Sequence, residues 1–85
     1  MKRRIGERLR HYRKQAGLSQ EEAGIRASLH RTEIGLLERG ERLPRVDTLI
    51  KLAGALGVSA GELLEGITWE PGYARPGEFE VSTGE

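Results

Sequence analysis

The chain of 85 residues contains no cysteine, and this absence excludes two kinds of site. Without thiols, neither a disulfide framework nor a thiolate-bound metal can form. The two histidines, His11 and His30, do not belong to a cluster of acidic side chains, so we predict no metal site. The glycines stand in predicted turns or singly in predicted helices, without a phosphate-loop pattern, and we predict no cofactor.

Long apolar runs are also missing. Hydrophobic stretches extend over a few residues only, against the roughly 18 that suggest a membrane span, so no membrane partner is expected. The basic start, residues 1–4, is followed by charged residues and not by the apolar segment of a signal peptide. The serines show no triad-like arrangement with His and Asp. We therefore predict a cytoplasmic protein that is not an enzyme.

Charge is distributed unevenly, although the formal net charge is only +1. Residues 1–45 contain twelve Lys and Arg against six Glu, a net charge of +6, whereas residues 46–85 have a net charge of −5. A small domain with separated charge presents one positive face, as expected of a protein that binds a polyanion such as nucleic acid. The alternative is that these charges only solvate helix surfaces.

Hydrophobic periodicity predicts five helices joined by short links. Capping boxes are indicated where Ser19 precedes Glu22 and where Ser59 precedes Glu62. This pattern predicts an all-α fold, a compact five-helix bundle. The predicted helices cover approximately residues 3–16, 20–27, 31–38, 45–56 and 60–65.

The last nineteen residues follow a different pattern and predict a C-terminal β-hairpin extension. Apolar and polar residues alternate on both sides of a segment rich in Pro and Gly, residues 71–77. An isolated hairpin is marginal in water, so its apolar face should dock on another surface; a frayed tail is the alternative. We expect a helical domain over residues 1–66 and a hairpin over residues 67–85. The apolar face of that hairpin consists of Ile67, Trp69, Phe79 and Val81.

The second and third helices are separated by residues 28–30 only. Such a tight link forces a steep crossing angle, so the third helix protrudes from the domain. A helix about 10–12 Å across fits the major groove of double-stranded DNA, where base edges are exposed. The sequence therefore predicts a helix-turn-helix whose residues 31–38 lie in that groove.

A helical wheel divides the third helix into two sides. With Ile34 pointing inward, Leu37 and Glu38 share its side. Leu36 on the outer side is either a scattered surface leucine or a contact for a thymine methyl group. The outer side holds Thr32, Gly35, Leu36 and Arg39, with Arg31 on the flank.

Five residues of this helix start and outer side are predicted to contact DNA bases. Arg31 can donate two hydrogen bonds to guanine, although a phosphate contact or a solvated side chain is the alternative. His30 can donate to a phosphate or a base edge. Gly35 costs about 0.8–1 kcal/mol relative to Ala, so it either has a role in packing or in close backbone approach, or reflects neutral drift. The predicted base contacts are His30, Arg31, Thr32, Gly35 and Leu36.

A set of short motifs extends along the helices and the turns between them: Leu18–Glu22, Ile34, Leu37–Glu41, Pro44, Thr48–Ala53, Ala55–Ser59 and Glu62–Leu64. These motifs resemble the phage repressor/Cro-type (Xre-like) helix-turn-helix family. With the first helix, the match spans about residues 3–64 without a gap. The resemblance implies a five-helix DNA-binding domain that usually works as a dimer in transcriptional control, as a repressor does.

The resemblance also implies roles for individual residues. Gln20 matches a position that contacts phosphate and braces the DNA-reading helix. Arg13 and Glu38 match a partly buried ion pair that orients this helix. His30 stands where the family usually has a Ser or Thr cap, and histidine is a poorer cap. Three arginines that flank the helix and its following loop are predicted phosphate anchors, which set register without reading sequence: Arg39, Arg42 and Arg45.

The function expected from these observations is a sequence-specific transcriptional regulator that binds a palindromic operator as a homodimer. The alternative is an antitoxin-like or adaptor module that holds a protein partner through residues 67–85.

Overall fold

The computed structural model describes residues 1–82 as five helices followed by a two-stranded antiparallel sheet. The five predicted helices are confirmed, with ends within two residues of those expected. The predicted C-terminal hairpin also forms, as a paired sheet, so the all-α class describes only the helical part of the chain. In chain order the elements are α1 Lys2–Gln15, α2 Gln20–Ala27, α3 Arg31–Glu38, α4 Val46–Leu56, α5 Ala60–Leu63, β1 Ile67–Glu70 and β2 Glu78–Val81. None of these helices has the length and apolar character needed to cross a bilayer.

Two helices begin with the capping boxes that the sequence predicts. The Ser19 hydroxyl accepts from the Glu22 backbone N–H at 3.0 Å, and the Glu22 carboxylate accepts from the Ser19 N–H at 2.8 Å. Ser59 and Glu62 make the same exchange at 3.1 and 3.4 Å. Each box satisfies two backbone N–H groups that would otherwise lack a hydrogen-bond acceptor within the helix, which fixes where α2 and α5 begin.

All five helices contribute to one apolar core. Helix α4 supplies five of its residues and packs against α1, α2 and α5. Helix α1 closes against α3 through Gly6, where a Cβ would lie 2.6 Å from the Glu38 carbonyl oxygen. The buried apolar residues are Ile5, Leu9, Ala23, Ala27, Ile34, Leu37, Leu49, Leu52, Ala53, Ala55, Leu56 and Leu63.

The hairpin has the face that the alternation predicts. Ile67 pairs with Val81 and Trp69 with Phe79, so these four side chains share one side of the sheet. Ile67 packs against the helical core, which anchors the base of the hairpin. Further out, Trp69 and Phe79 meet edge to face, with ring centroids 5.0 Å apart, and remain 55% and 53% exposed. The aromatic end of this face is therefore not covered by the described part of the chain.

Candidate nucleic-acid interface

The turn between α2 and α3 is held by a residue in the left-handed region. Ser28 has φ 57° and ψ 41°, which reverses the chain directly after α2. The next backbone N–H, that of Leu29, donates to the Gly24 carbonyl oxygen at 2.8 Å. Left-handed geometry costs a non-glycine residue about 1–2 kcal/mol, so the rest of the fold maintains this turn at some expense.

Helix α3 begins at a histidine cap. The Nδ1 atom of His30 accepts a hydrogen bond from the Thr32 backbone N–H at 3.0 Å. A ring nitrogen thus does what a Ser or Thr hydroxyl would do at this position. Because Nδ1 accepts, the ring in this state has its proton on Nε2, which leaves an exposed N–H donor at the helix start.

The inner side of α3 is buried, as the helical wheel predicts. Ile34 and Leu37 both belong to the core. The Glu38 side chain is buried beside them and is only 4% exposed. These three residues hold the C-terminal half of the helix to the domain, so its opposite side is the side available to a ligand.

The outer side, which we call the outer row, consists of Thr32, Gly35, Leu36 and Arg39. Thr32 and Arg39 are exposed, and Leu36 is partly exposed. Gly35 is buried, contrary to the expectation from the wheel. Its position is covered by the ends of two polar side chains: a Cβ there would lie 2.9 Å from Arg39 Nη1 and 3.6 Å from Gln20 Oε1. Arg31 is exposed at the helix start.

Gln20 connects the start of α2 to the end of α3. Its Nε2 atom donates to Glu38 Oε1 at 3.2 Å, and its Oε1 atom faces Gly35. The expected brace between the two helices therefore has a direct counterpart in this hydrogen bond.

Arg13 and Glu38 form the most enclosed ion pair of the described chain. Arg13 donates from Nε to Glu38 Oε2 at 2.6 Å and from Nη2 to Oε1 at 3.0 Å, a two-pronged geometry. Arg13 Nη1 also donates to the Leu18 carbonyl oxygen at 2.8 Å. The hydrogen bonds that Arg13 donates to Glu38 hold the pKa of Arg13 above its usual value, against the opposing effect of burial. The pair joins α1, the turn before α2, and α3.

The arginines that follow α3 keep their charges at the surface. Arg39 Nε lies 2.6 Å from Glu41 Oε2, and Arg45 Nε lies 3.4 Å from Asp47 Oδ1. Both pairs are largely exposed, so each contributes less than about 1 kcal/mol and does not prevent a new contact. Arg42 is exposed in the loop between them.

These elements have counterparts in known proteins. A family model described as a helix-turn-helix domain matches residues 4–65, well over half of the chain. The chain belongs to the helix-turn-helix domain family. Control protein C.SmaI from Serratia marcescens is 47% identical over 60 residues, which cover 71% of this chain and 71% of that protein.

Solved structures agree with this family assignment. The restriction-modification controller protein C.AhdI from Aeromonas hydrophila has a TM-score of 0.71 and 39% identity, over 73% of this chain and 94% of its own. The P22 c2 repressor in complex with synthetic operator 9T has a TM-score of 0.69 and 34% identity, over 73% of this chain and 94% of its own. The predicted resemblance to repressor-type helix-turn-helix proteins is confirmed.

Two residues of this helix-turn-helix domain were not singled out by the sequence. Arg8 donates to the Glu62 carbonyl oxygen at 2.9 Å and to Glu65 Oε1 at 2.7 Å, so it joins α1 to α5 and is not free for a ligand. Its spacing from Glu65 in sequence gives no sign of this contact. Ser28 is the other, and its signal is positional, because a three-residue turn between helices needs a left-handed residue.

Proposed function

We propose that this protein is a sequence-specific DNA-binding transcriptional regulator whose helix α3 reads the major groove. The observation that supports the proposal is that α3 is buried on one side only: Ile34, Leu37 and Glu38 are enclosed, and Thr32 is exposed opposite them. A helix fixed to its domain along one side and open along the other can enter a groove about 12 Å wide. We expect the protein to act in the cytoplasm.

Base contacts are proposed for the helix start and the outer row. Arg31 can donate two hydrogen bonds to guanine O6 and N7, and Leu36 can contact a thymine methyl group. Thr32 has a hydroxyl for a base edge, and His30 has its Nε2–H. Gly35 is covered by the ends of Arg39 and Gln20, so we propose that its role is to leave space for these side chains and not to contact a base itself.

Phosphate contacts are proposed on both sides of α3. Gln20 is the first residue of α2, and the dipole of a helix favours an anion at its start. Arg42 and Arg45 are exposed in the segment that leads from α3 to α4. Contacts of this kind set register and add about 0.9 each to the slope of binding against salt concentration.

Selection of bound sites from random DNA tests this function. The wild-type protein should enrich one sequence, and Arg31→Ala should lose the preference at one base position with a cost of about 1–3 kcal/mol. Arg42→Ala is the matched control: the same residue type is removed, but all sequences should weaken alike and the salt slope should fall by about 1. Failure of the wild-type protein to enrich any sequence would refute the proposal.

We infer that the regulator works as a homodimer on a palindrome with half-sites about 34 Å apart. Two exposed apolar pairs are available for the contact between subunits. On α4, Val46 and Ile50 lie one turn apart and are 76% and 59% exposed. Trp69 and Phe79 form the other pair, on the hairpin.

Sedimentation of two double variants separates these surfaces. Val46→Ser with Ile50→Ser should dissociate a dimer formed through α4, and Trp69→Ser with Phe79→Ser one formed through the hairpin. A wild-type protein that sediments as a monomer at micromolar concentration and binds single half-sites would contradict the dimer.

A second candidate function is supported by the hairpin. Residues 67–82 lie outside the family match. The structural match to C.AhdI covers 94% of that protein but only 73% of this chain. An exposed aromatic pair on such an extension is suited to an antitoxin-like or adaptor role, in which it holds a protein partner. This role would be favoured if Trp69→Ala abolished capture of a defined partner while operator binding stayed at the wild-type level.

A further inference from the structure

The side chain of Arg39 lies back along the outer row of α3. Helical side chains lean towards the N-terminus, and Arg39 is four residues after Gly35. The Arg39 Nη1 atom occupies the space that a Cβ at Gly35 would enter, at 2.9 Å. The guanidinium group thus lies on the same side of the helix as Thr32 and Leu36.

The absence of a side chain at Gly35 makes this arrangement possible. In helix α3 a glycine has no conformational purpose, because its φ is not positive. Its neighbours are the ends of Arg39 and Gln20, so the space above it is a notch in the outer row. The guanidinium fills this notch in place of a side chain from position 35.

Glu41 holds the guanidinium from the other side. Its Oε2 atom accepts from Arg39 Nε at 2.6 Å. With Nε occupied, the two terminal nitrogens are the donors that remain for a ligand. Two parallel N–H donors are the arrangement that matches guanine O6 and N7.

We propose that Arg39 is a second base-reading arginine, placed over Gly35 and oriented by Glu41 to select guanine at one operator position. The sequence predicts Arg39 as a phosphate anchor; the notch at Gly35 instead places its guanidinium in the row that faces the groove. The inference rests on the proposed function and assigns a specificity residue within it.

Gly35→Ala is the sharpest test, because the fold and the specificity should respond in opposite directions. Alanine favours a helix interior over glycine, so the melting temperature should rise. The new methyl group displaces the flexible end of Arg39, so discrimination for guanine at one position should fall about 10- to 100-fold. A merely structural role for Gly35 would leave the selected sequence unchanged.

Arg39 and Arg45 are both exposed and each has an acidic neighbour, so Arg39→Ala and Arg45→Ala are matched variants. Arg39→Ala should relax one base position in sites selected from random DNA, while the other positions keep their preference. Arg45→Ala should keep every preference and lower the salt slope by about 1. If Arg39→Ala instead behaves like Arg45→Ala, keeping every base preference while weakening all sequences alike and lowering the salt slope by about 1, the inference is wrong.

Failure of the inference is distinguishable from failure of the proposed function. If the wild-type protein selects a site and Arg31→Ala relaxes it, but Gly35→Ala and Arg39→Ala select the same site as wild type, then only the role of Arg39 is refuted. If the wild-type protein selects no sequence, both are refuted.

Discussion

Removing either member of the Arg13–Glu38 pair should destabilise the protein far more than removing a member of an ion pair of equal length at the surface. The two side chains are only 11% and 4% exposed. Glu38→Gln leaves the Arg13 charge enclosed without its anion, and Arg13→Met leaves the Glu38 carboxylate enclosed without its cation. A buried charge without its partner costs about 3–5 kcal/mol. The total stability expected for a chain of this size is about 4–13 kcal/mol, so either loss would be conspicuous.

A double-mutant cycle measures the interaction itself. The combination of Arg13→Met with Glu38→Gln removes both charges, so it should cost clearly less than the sum of the single variants. We expect a coupling free energy of at least about 2 kcal/mol, near the upper part of the range for residues in one network. Urea unfolding followed by far-ultraviolet circular dichroism, at low temperature to retain the folded state, provides the four free energies.

The Arg39–Glu41 pair is the control for burial. Its Nε–Oε2 distance is also 2.6 Å, but the side chains are 58% and 53% exposed. A cycle of Arg39→Met and Glu41→Gln should therefore have a coupling below about 1 kcal/mol. Equal coupling in the two cycles would refute the reasoning that enclosure, and not bond length, determines the strength of the buried pair.

Three further predictions concern the scaffold. Gly6→Ala should lower the free energy of unfolding by about 1–3 kcal/mol, because the methyl group meets the carbonyl oxygens of Leu37 and Glu38. A higher free energy of unfolding, measured by urea denaturation, would contradict this packing. Ser28→Gly should raise the same free energy by about 1 kcal/mol, since glycine tolerates the left-handed turn, whereas Ser28→Val should lower it. Hydrogen bonds from Ser19 lower the pKa of the Glu22 carboxyl group. The stability that ionised Glu22 adds is therefore fully present above its pKa in the unfolded chain, about 4.3, and is lost as the pH falls through its lower pKa in the folded protein. Glu22→Gln should therefore show a smaller loss of stability between pH 5 and 3, and an unchanged acid profile would argue against the capping box as its source.

The helices could be predicted from sequence because periodicity and capping signals agree along the chain. Ser19 and Ser59 mark their helix starts with local interactions, which need only a few neighbouring residues. The inner side of α3 could be predicted for the same reason, since Ile34 and Leu37 follow helical spacing.

The environment of Gly35 could not be predicted in this way. A helical wheel assigns an angle to each residue, but the cover over Gly35 comes from the ends of two long side chains, Arg39 and Gln20. Arg8 illustrates the same limit. Composition counts it in the positive half of the chain, whereas its guanidinium is bound to α5.

The triangle of contacts around Glu38 has a consequence for the DNA. Arg13 and Gln20 tie the end of α3 to α1 and α2, and a link of three residues ties its beginning to α2. Helix α3 therefore has little freedom to tilt or slide on its own. In the proposed homodimer, an operator that departs from the ideal spacing would have to bend or twist to meet both copies of this helix. The stiffness of the sequence between the half-sites would then contribute to the selection.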